Sequence, residues 1–223
     1  SLAFGTKLDP KAIYVEGISS IRLADLDAAD QLGYRVKLLG VAVKTTEGIE
    51  QRVHPTMVPK DSAIAQVMGV TNAVTIDAEG LAPITLVGPG AGGMATASAV
   101  VSDLADIASG IRTPPFGRPA ARMTAIRKAP MQHHEGGYYI RLLARDRPGS
   151  AATIARRLAQ QNISIESIVQ RHDGTRPAGS GEPVPVIMIT YATSEDAVRK
   201  ALVAVRRDRV ISGRPQVIRI EKN

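Results

Sequence analysis

The sequence predicts an α+β protein: a mixed or antiparallel sheet with helices on one face, followed by a ferredoxin-like β-α-β-β-α-β unit. Three observations carry that prediction. In the first half, strand-length apolar runs are joined by connections of hairpin size. In the second half, the periodicity reads strand, helix, strand, strand, helix, strand. Apolar residues make up 44% of the 223, yet there are only two Phe, five Tyr and no Trp. The cores must therefore be built from Val, Ile, Leu, Ala and Met, which suits sheets covered by helices. A prior of roughly 100–200 residues per domain allows one large or two small domains.

Each element has its own signal. "LADLDAADQLG" (Leu23–Gly33) reads as a short helix ended by Gly33. "RVKLLGVAVKT" (Arg35–Thr45) and "IEQRVHPTMV" (Ile49–Val58) read as strands joined through Thr46-Glu47-Gly48. "DSAIAQVMG" (Asp61–Gly69) has Asp61 or Ser62 as N-cap and Gly69 just past its end, which predicts a helix. "AVTIDA" and "APITLVG" form a further strand pair around Glu79-Gly80, and a helix is expected from Met94 to Ser109. After a Pro- and Arg-rich stretch, "GYYIRLLARD" opens the second half as a strand. "GSAATIARRLAQQ" places Ala151, Ile154, Ala155, Leu158 and Ala159 on one helical face. "ISIESIVQRH" and "PVPVIMITYA" are strands, "SEDAVRKALVAVRR" is a helix capped by Ser194, and "RPQVIRIEK" closes with a strand. The division expected is 1–112, a linker at 113–137, and 138–223.

The formal charge of +7 comes largely from Arg112, Arg118, Arg122, Arg127 and Lys128, with no acidic residue between them, and from Arg206, Arg207 and Arg209. No aromatic residues interleave with these charges as stacking platforms require, so a solvated, exposed connection is expected rather than a nucleic-acid surface. The chain has no cysteine, which excludes disulfides, thiolate metal sites and a thiol nucleophile and fits a reducing cytoplasm. No apolar run approaches the roughly 18 residues of a membrane span, and no signal peptide opens the chain. The opening "SLAFGTKLD" lacks a methionine and reads as mid-domain sequence, so a fragment is expected.

"GPGAGGMATASAVVSDL" (Gly88–Leu104) contains G-x-G-x-x-G at Gly88, Gly90 and Gly93. A dinucleotide fingerprint needs a strand before it, a helix after it, and an acidic residue on a further strand roughly 20 positions on. The third requirement fails, because the helix runs out into Thr113-Pro114-Pro115 and no second mononucleotide half follows. What remains open is either a helix N-terminus able to meet an anion or a tight turn without a ligand.

"YVEGI", "LGYRVKLLGVA", "VHPTMVPKDSAIAQVMGVTNAV" and the glycine segment resemble the catalytic domain of bacterial homoserine dehydrogenases. "YYIRLLARDRPGSAATIARRLAQQNISIESIVQ" (Tyr138–Gln170) resembles an ACT domain, the amino-acid-sensing module these enzymes often carry. The resemblance implies an NAD- or NADP-dependent oxidoreductase that interconverts homoserine and aspartate semialdehyde in threonine and methionine biosynthesis. It places the nucleotide-binding domain, the catalytic lysine and the homoserine-holding acids before Ser1, so no catalytic residue is assigned here and the fragment alone is expected to show no turnover. It also implies that Gly90, Gly92 and Gly93 approach the cofactor from the catalytic side. A homodimer or homotetramer and an amino-acid effector, threonine as the pathway's end product, are implied as partners. The rival reading is a free-standing amino-acid-binding regulator without activity.

His54 lines the substrate pocket or is structural, and Glu16 either hydrogen-bonds in that pocket or caps a local turn. His133 and His134 form either a metal pair or two solvated side chains, and no metal site is assigned. In the second half, the "RDRPGS" turn puts Pro148 in the first helical turn and leaves the N–H groups of Gly149 and Ser150 unpaired, which suits an amino acid's carboxylate. In ACT domains the effector sits at such positions, so the resemblance places effector contacts at Asp146, Pro148, Gly149, Ser150, Asn162 and Ile163. The alternative is an ACT domain that only assembles subunits.

Overall fold

The computed structural model describes residues 1–129, 135–170 and 182–221. The chain opens with β1 (Tyr14–Val15), α1 (Leu23–Gln31), β2 (Tyr34–Lys44) and β3 (Ile49–Pro59). β2 and β3 form an antiparallel hairpin in unbroken register from Tyr34↔Pro59 to Lys44↔Ile49. Its turn is tied by Thr45, whose Oγ1 accepts from the N–H groups of Glu47 and Gly48.

The helix expected over Asp61–Gly69 is absent, and only a single 3-10 turn, Ala63–Gln66, forms there. Side chains explain the loss. Ser62 turns its hydroxyl back to the Pro59 carbonyl instead of capping. The carbonyls of Ala65 and Val67 accept from Arg35 and Lys37 of the neighbouring strand, which takes them out of the helical hydrogen-bond ladder. β4 (Thr71–Ala78) and β5 (Leu81–Pro89) then form a separate two-stranded sheet, and α2 (Gly93–Ala108) follows the glycine turn.

In the second half the order is β6 (Glu135–Arg145), α3 (Ser150–Ala159), β7 (Ile165–Gln170), β8 (Pro183–Thr190), the two-residue β9 (Thr193–Ser194), α4 (Glu195–Arg207) and β10 (Ile211–Ile220). The four long strands lie in the order β10-β6-β8-β7, all neighbours antiparallel, as a split β-α-β-β-α-β unit requires. Ser194 caps α4 by accepting from the Ala197 N–H at 3.2 Å. The apolar stripe of α4, Val198, Ala201, Leu202 and Val205, packs with Ile154 and Leu158 of α3 onto Tyr138, Ile140, Leu142 and Met188. Ala151 and Ala159 of α3 stay exposed.

The two halves share one sheet. β10 pairs in parallel with β3 at Arg219↔Thr56 and Ile220↔Met57, and β1 pairs with the earlier part of the same β3 edge at Tyr14↔Arg52 and Val15↔Val53. α1 crosses this join. Its Ala28 and Ala29 pack with Met57 against Tyr139, Ile187, Ile189 and Ile218, the face opposite α3 and α4. Successive residues of β6 thus meet different cores, and burial on both faces explains the nearly continuous apolar run in "YYIRLLA".

The stretch expected as an exposed connection is docked over 123–129. Thr124 bridges Thr6, Lys128 bridges Ile49, and Met123 and Ala129 are buried. Ile49 donates to the Arg127 carbonyl at 2.7 Å and accepts from Ala129 at 3.1 Å, so the segment extends the start of β3 as an edge. Its basic side chains at 112, 118, 122, 127 and 128 do face solvent.

Candidate functional site

The glycine turn lies on the separate β4–β5 sheet, outside the joint sheet. Gly92 caps α2 with φ +126°, a backbone that side chains rarely adopt. A Cβ on Gly90 would fall on the Asn72 side chain, whereas one on Gly92 or Gly93 would meet open space. Gly93 has neither a positive φ nor a close neighbour, so nothing within the chain demands glycine there. The N–H groups of the first helical turn have no intrahelical acceptor. This turn fits the edge of a dinucleotide: its backbone can be approached closely and its helix end favours an anion.

Glu16 and His54 come together with charged residues at the join between the halves. His54 is fully buried on β3. Its Nε2 accepts from Arg52 Nε at 2.9 Å, and its Nδ1 lies 3.0 Å from both the Pro55 carbonyl and Thr56 Oγ1. That pattern puts the ring proton on Nδ1. Burial holds the imidazole pKa below its ordinary value; the Arg219 and Arg52 charges add to this, partly offset by the bond to Pro55. Arg52 also pairs with Glu50 and, at 2.5 Å, with Glu221. Glu16 accepts from Arg219 at 2.9 Å and from the Tyr14 hydroxyl at 3.2 Å. Arg219 binds both oxygens of Glu195 at 2.7 and 2.6 Å and lies 5.3 Å from the Tyr14 ring centroid.

A second polar knot lies under α1. Asp25 accepts from Arg141 Nε at 2.6 Å, Arg141 Nη2 at 3.0 Å, the Tyr139 hydroxyl at 3.0 Å and the Arg22 N–H at 2.9 Å. Burial alone would raise the carboxyl pKa, but the bonds from Arg141, Arg22 and Tyr139 outweigh it and hold Asp25 below the usual range. Sequence reasoning missed Asp25, Arg52, Arg141 and Arg219. The available signal was arginine inside apolar strand runs, as in "YIRLL" and "VIRIE", because a buried guanidinium demands a carboxylate partner.

The effector residues separate into two groups at the ends of α3. Gly149 is the N-cap with φ +88°. Pro148 precedes that cap and so lies outside the first helical turn. The Ser150 N–H donates to the Arg147 carbonyl at 3.1 Å, which corrects the expectation that it is unpaired. Ser150 is buried, Pro148 is exposed, and the Asp146 N–H donates to Glu182 at 3.1 Å. At the other end, Asn162 is exposed with φ +55°, and the buried Ile163 donates to the Leu158 carbonyl at 3.1 Å. This is a helix stop with a left-handed residue. A ten-residue helix spans about 15 Å, so one small ligand cannot touch both ends within a single chain. His133 and His134 lie outside the described residues, among which no group of three His, Cys, Asp or Glu is placed to hold a metal ion. No helix among the described residues is long and apolar enough to cross a membrane.

Comparison with known proteins places both halves. The homoserine dehydrogenase family pattern matches residues 1–105 and the ACT domain pattern residues 138–207. A relative named homoserine dehydrogenase from Neisseria gonorrhoeae is 40% identical over 211 residues, covering 92% of this chain and 47% of that protein. Another from Pseudomonas aeruginosa is 38% identical, covering 100% of this chain and 52% of that protein. A crystal structure of a homoserine dehydrogenase from Thiobacillus denitrificans superposes with a TM-score of 0.87 at 36% identity, over 99% of this chain and 50% of that one. The enzyme from S. aureus shares the fold, with a TM-score of 0.65 at 22% identity. The chain thus spans about half the length of the relatives it matches.

Proposed function

This chain belongs to the homoserine dehydrogenases, as a C-terminal region carrying an ACT domain, and from that premise we propose that it serves a cytoplasmic NAD(P)-dependent oxidoreductase interconverting homoserine and aspartate 4-semialdehyde. The observation that carries this reading is the occurrence of both matches, in this order, along one chain with a high structural likeness. On this reading the pieces divide the work by region: 1–112 as part of the catalytic and dimer-forming domain, 113–137 as the connection, and 138–223 as the regulator. Gly90, Gly92 and Gly93 form the wall that the cofactor approaches, and the glycine at 93 is explained by space kept for a group outside the chain. The cofactor supplies or takes the hydride. The residues here keep that wall free of side chains and present helix N–H groups. Glu16 and His54 already hold internal partners, so a homoserine contact at either would have to compete with an existing bond.

The regulator's ligand is a free amino acid, threonine first among candidates, as feedback from the pathway's product. The Gly149 turn, with Asp146, Pro148 and Ser150, takes one end of it, and Asn162 with Ile163 takes the other. Because these groups lie about 15 Å apart along α3, the site is built from two copies, which requires at least a homodimer. Titration calorimetry of threonine against a panel of other amino acids tests the effector and the ACT assignment together. Asn162→Gly is the informative variant. Glycine keeps the left-handed backbone and removes only the amide, so the fold should persist while threonine affinity drops at least tenfold. Unchanged affinity in this variant would remove Asn162 from the site. Absence of binding by any amino acid would leave the domain as an assembly module.

A further inference from the structure

A cleft of about 450 Å³ opens at the join of the two halves, and its lining includes neither the glycine turn nor any residue of α3. One wall is the loop before α1, with Ser19, Ser20 and Arg22; the other comes from β6 and β10, with Arg141, Arg214 and Gln216. The second wall exists because β10 leaves its register with β6 between Ser212 and Gln216, where Gly213 adopts φ +71°. Such bulges re-aim side chains out of a ladder, and this one places Arg214 on the cleft lining.

The charges decide what the cleft takes. Arg141 is buried, and Asp25 engages its Nε and Nη2. Glu16, the acidic group of the lining, is occupied through Oε2 by Arg219. Arg22 and Arg214 have no ion-pair partner among the described residues and face the space from opposite walls. Two uncompensated guanidiniums on two walls call for two anionic groups held apart. Each planar fork matches a carboxylate in bidentate fashion, and the volume lies in the ordinary range for small-ligand sites.

We propose that this cleft binds a small dicarboxylate, one carboxylate on Arg22 and the other on Arg214, with the Ser19 and Ser20 hydroxyls and the Gln216 amide completing the lining. A ligand held this way ties the loop of the first half to the bulge of the second. The site is independent of the amino-acid site at α3, and its ligand class differs, since threonine carries one carboxylate.

The test is calorimetric titration of this chain at low ionic strength with succinate and L-aspartate, with acetate and inorganic phosphate at matched ionic strength beside them. The proposal expects saturable dicarboxylate binding, at least tenfold tighter than acetate or phosphate. Arg22→Gln and Arg214→Gln should each weaken it tenfold or more with unchanged denaturation curves, because both side chains are exposed. Asn162→Gly should leave it intact, which separates this site from the threonine reading. Absence of dicarboxylate binding, equal affinity for phosphate, or binding that survives in the Arg22→Gln/Arg214→Gln double variant would each overturn the proposal.

Discussion

Asp25 shows how one carboxylate fixes the geometry of the join. Its side chain is fully buried, yet it receives four hydrogen bonds, two of them from a guanidinium on a strand of the other half. Asp25→Asn nearly preserves shape but leaves the Arg141 charge buried without a counter-ion. Breaking such a pair costs about 3–5 kcal/mol, and urea denaturation should show a loss of that size. Tyr139→Phe removes one bond to a charged group and should cost roughly 1.5–3 kcal/mol. Replacing Arg141 by Met in the Asp25→Asn background should recover part of the loss, since the orphaned charge disappears with it. A double variant no more stable than Asp25→Asn would show that packing under α1, and not the charge, is what Asp25 secures.

Among the elements, the connection between the halves departs most from its sequence signal. Four exposed arginines and repeated prolines in "RTPPFGRPAARMTAIRK" read as a solvated tether, and the side chains do face water; the backbone, however, is pinned by main-chain bonds to Ile49, which leave no mark on composition. Gly48 is the pivot. Its φ is +152°, and a Cβ there would fall on the Arg127 carbonyl oxygen, a backbone atom that cannot swing aside. Gly48→Ala should therefore expel the segment while β2 and β3 persist, read as faster tryptic cleavage at Arg122 and Arg127 with little change in far-UV circular dichroism. Cleavage at the wild-type rate would mean that the docking does not depend on this approach. Where local patterning alone decides, the sequence reads well: the stripe on α4, its Ser194 cap and the β2–β3 hairpin are all legible. It reads poorly where distant side chains intervene. The helix expected over Asp61–Gly69 lost its carbonyls to Arg35 and Lys37. The first-half carboxylates that Arg141 and Arg219 engage, the buried Asp25 and the half-buried Glu16, lie 116 and 203 residues away in sequence, beyond any local pattern.

At the scale of the whole molecule, two ties hold the ACT half to the first half, the β3–β10 pairing and α1 over the second face of the shared sheet, while the docked connection is pinned to Thr6 and Ile49 of the first half. A regulator joined by a free tether could titrate with effector and change nothing upstream. On the proposed reading, a ligand at α3 acts on a sheet that continues through the β10–β3 pairing into the first half, so its binding energy has a physical route there. Allosteric couplings typically amount to about 1–3 kcal/mol, and a shared rigid element is the kind of medium that carries them. The same ties predict that both halves unfold together. Thermal unfolding followed by near-UV and far-UV signals should give one coincident transition. Limited trypsin cleavage at Arg122 or Arg127 should yield two fragments that co-elute on size exclusion, because the interface survives a cut in the connection. Two separated transitions, or a regulatory fragment that elutes alone, would show that the continuous sheet is too weak to make one cooperative unit, and the route for coupling would have to lie elsewhere.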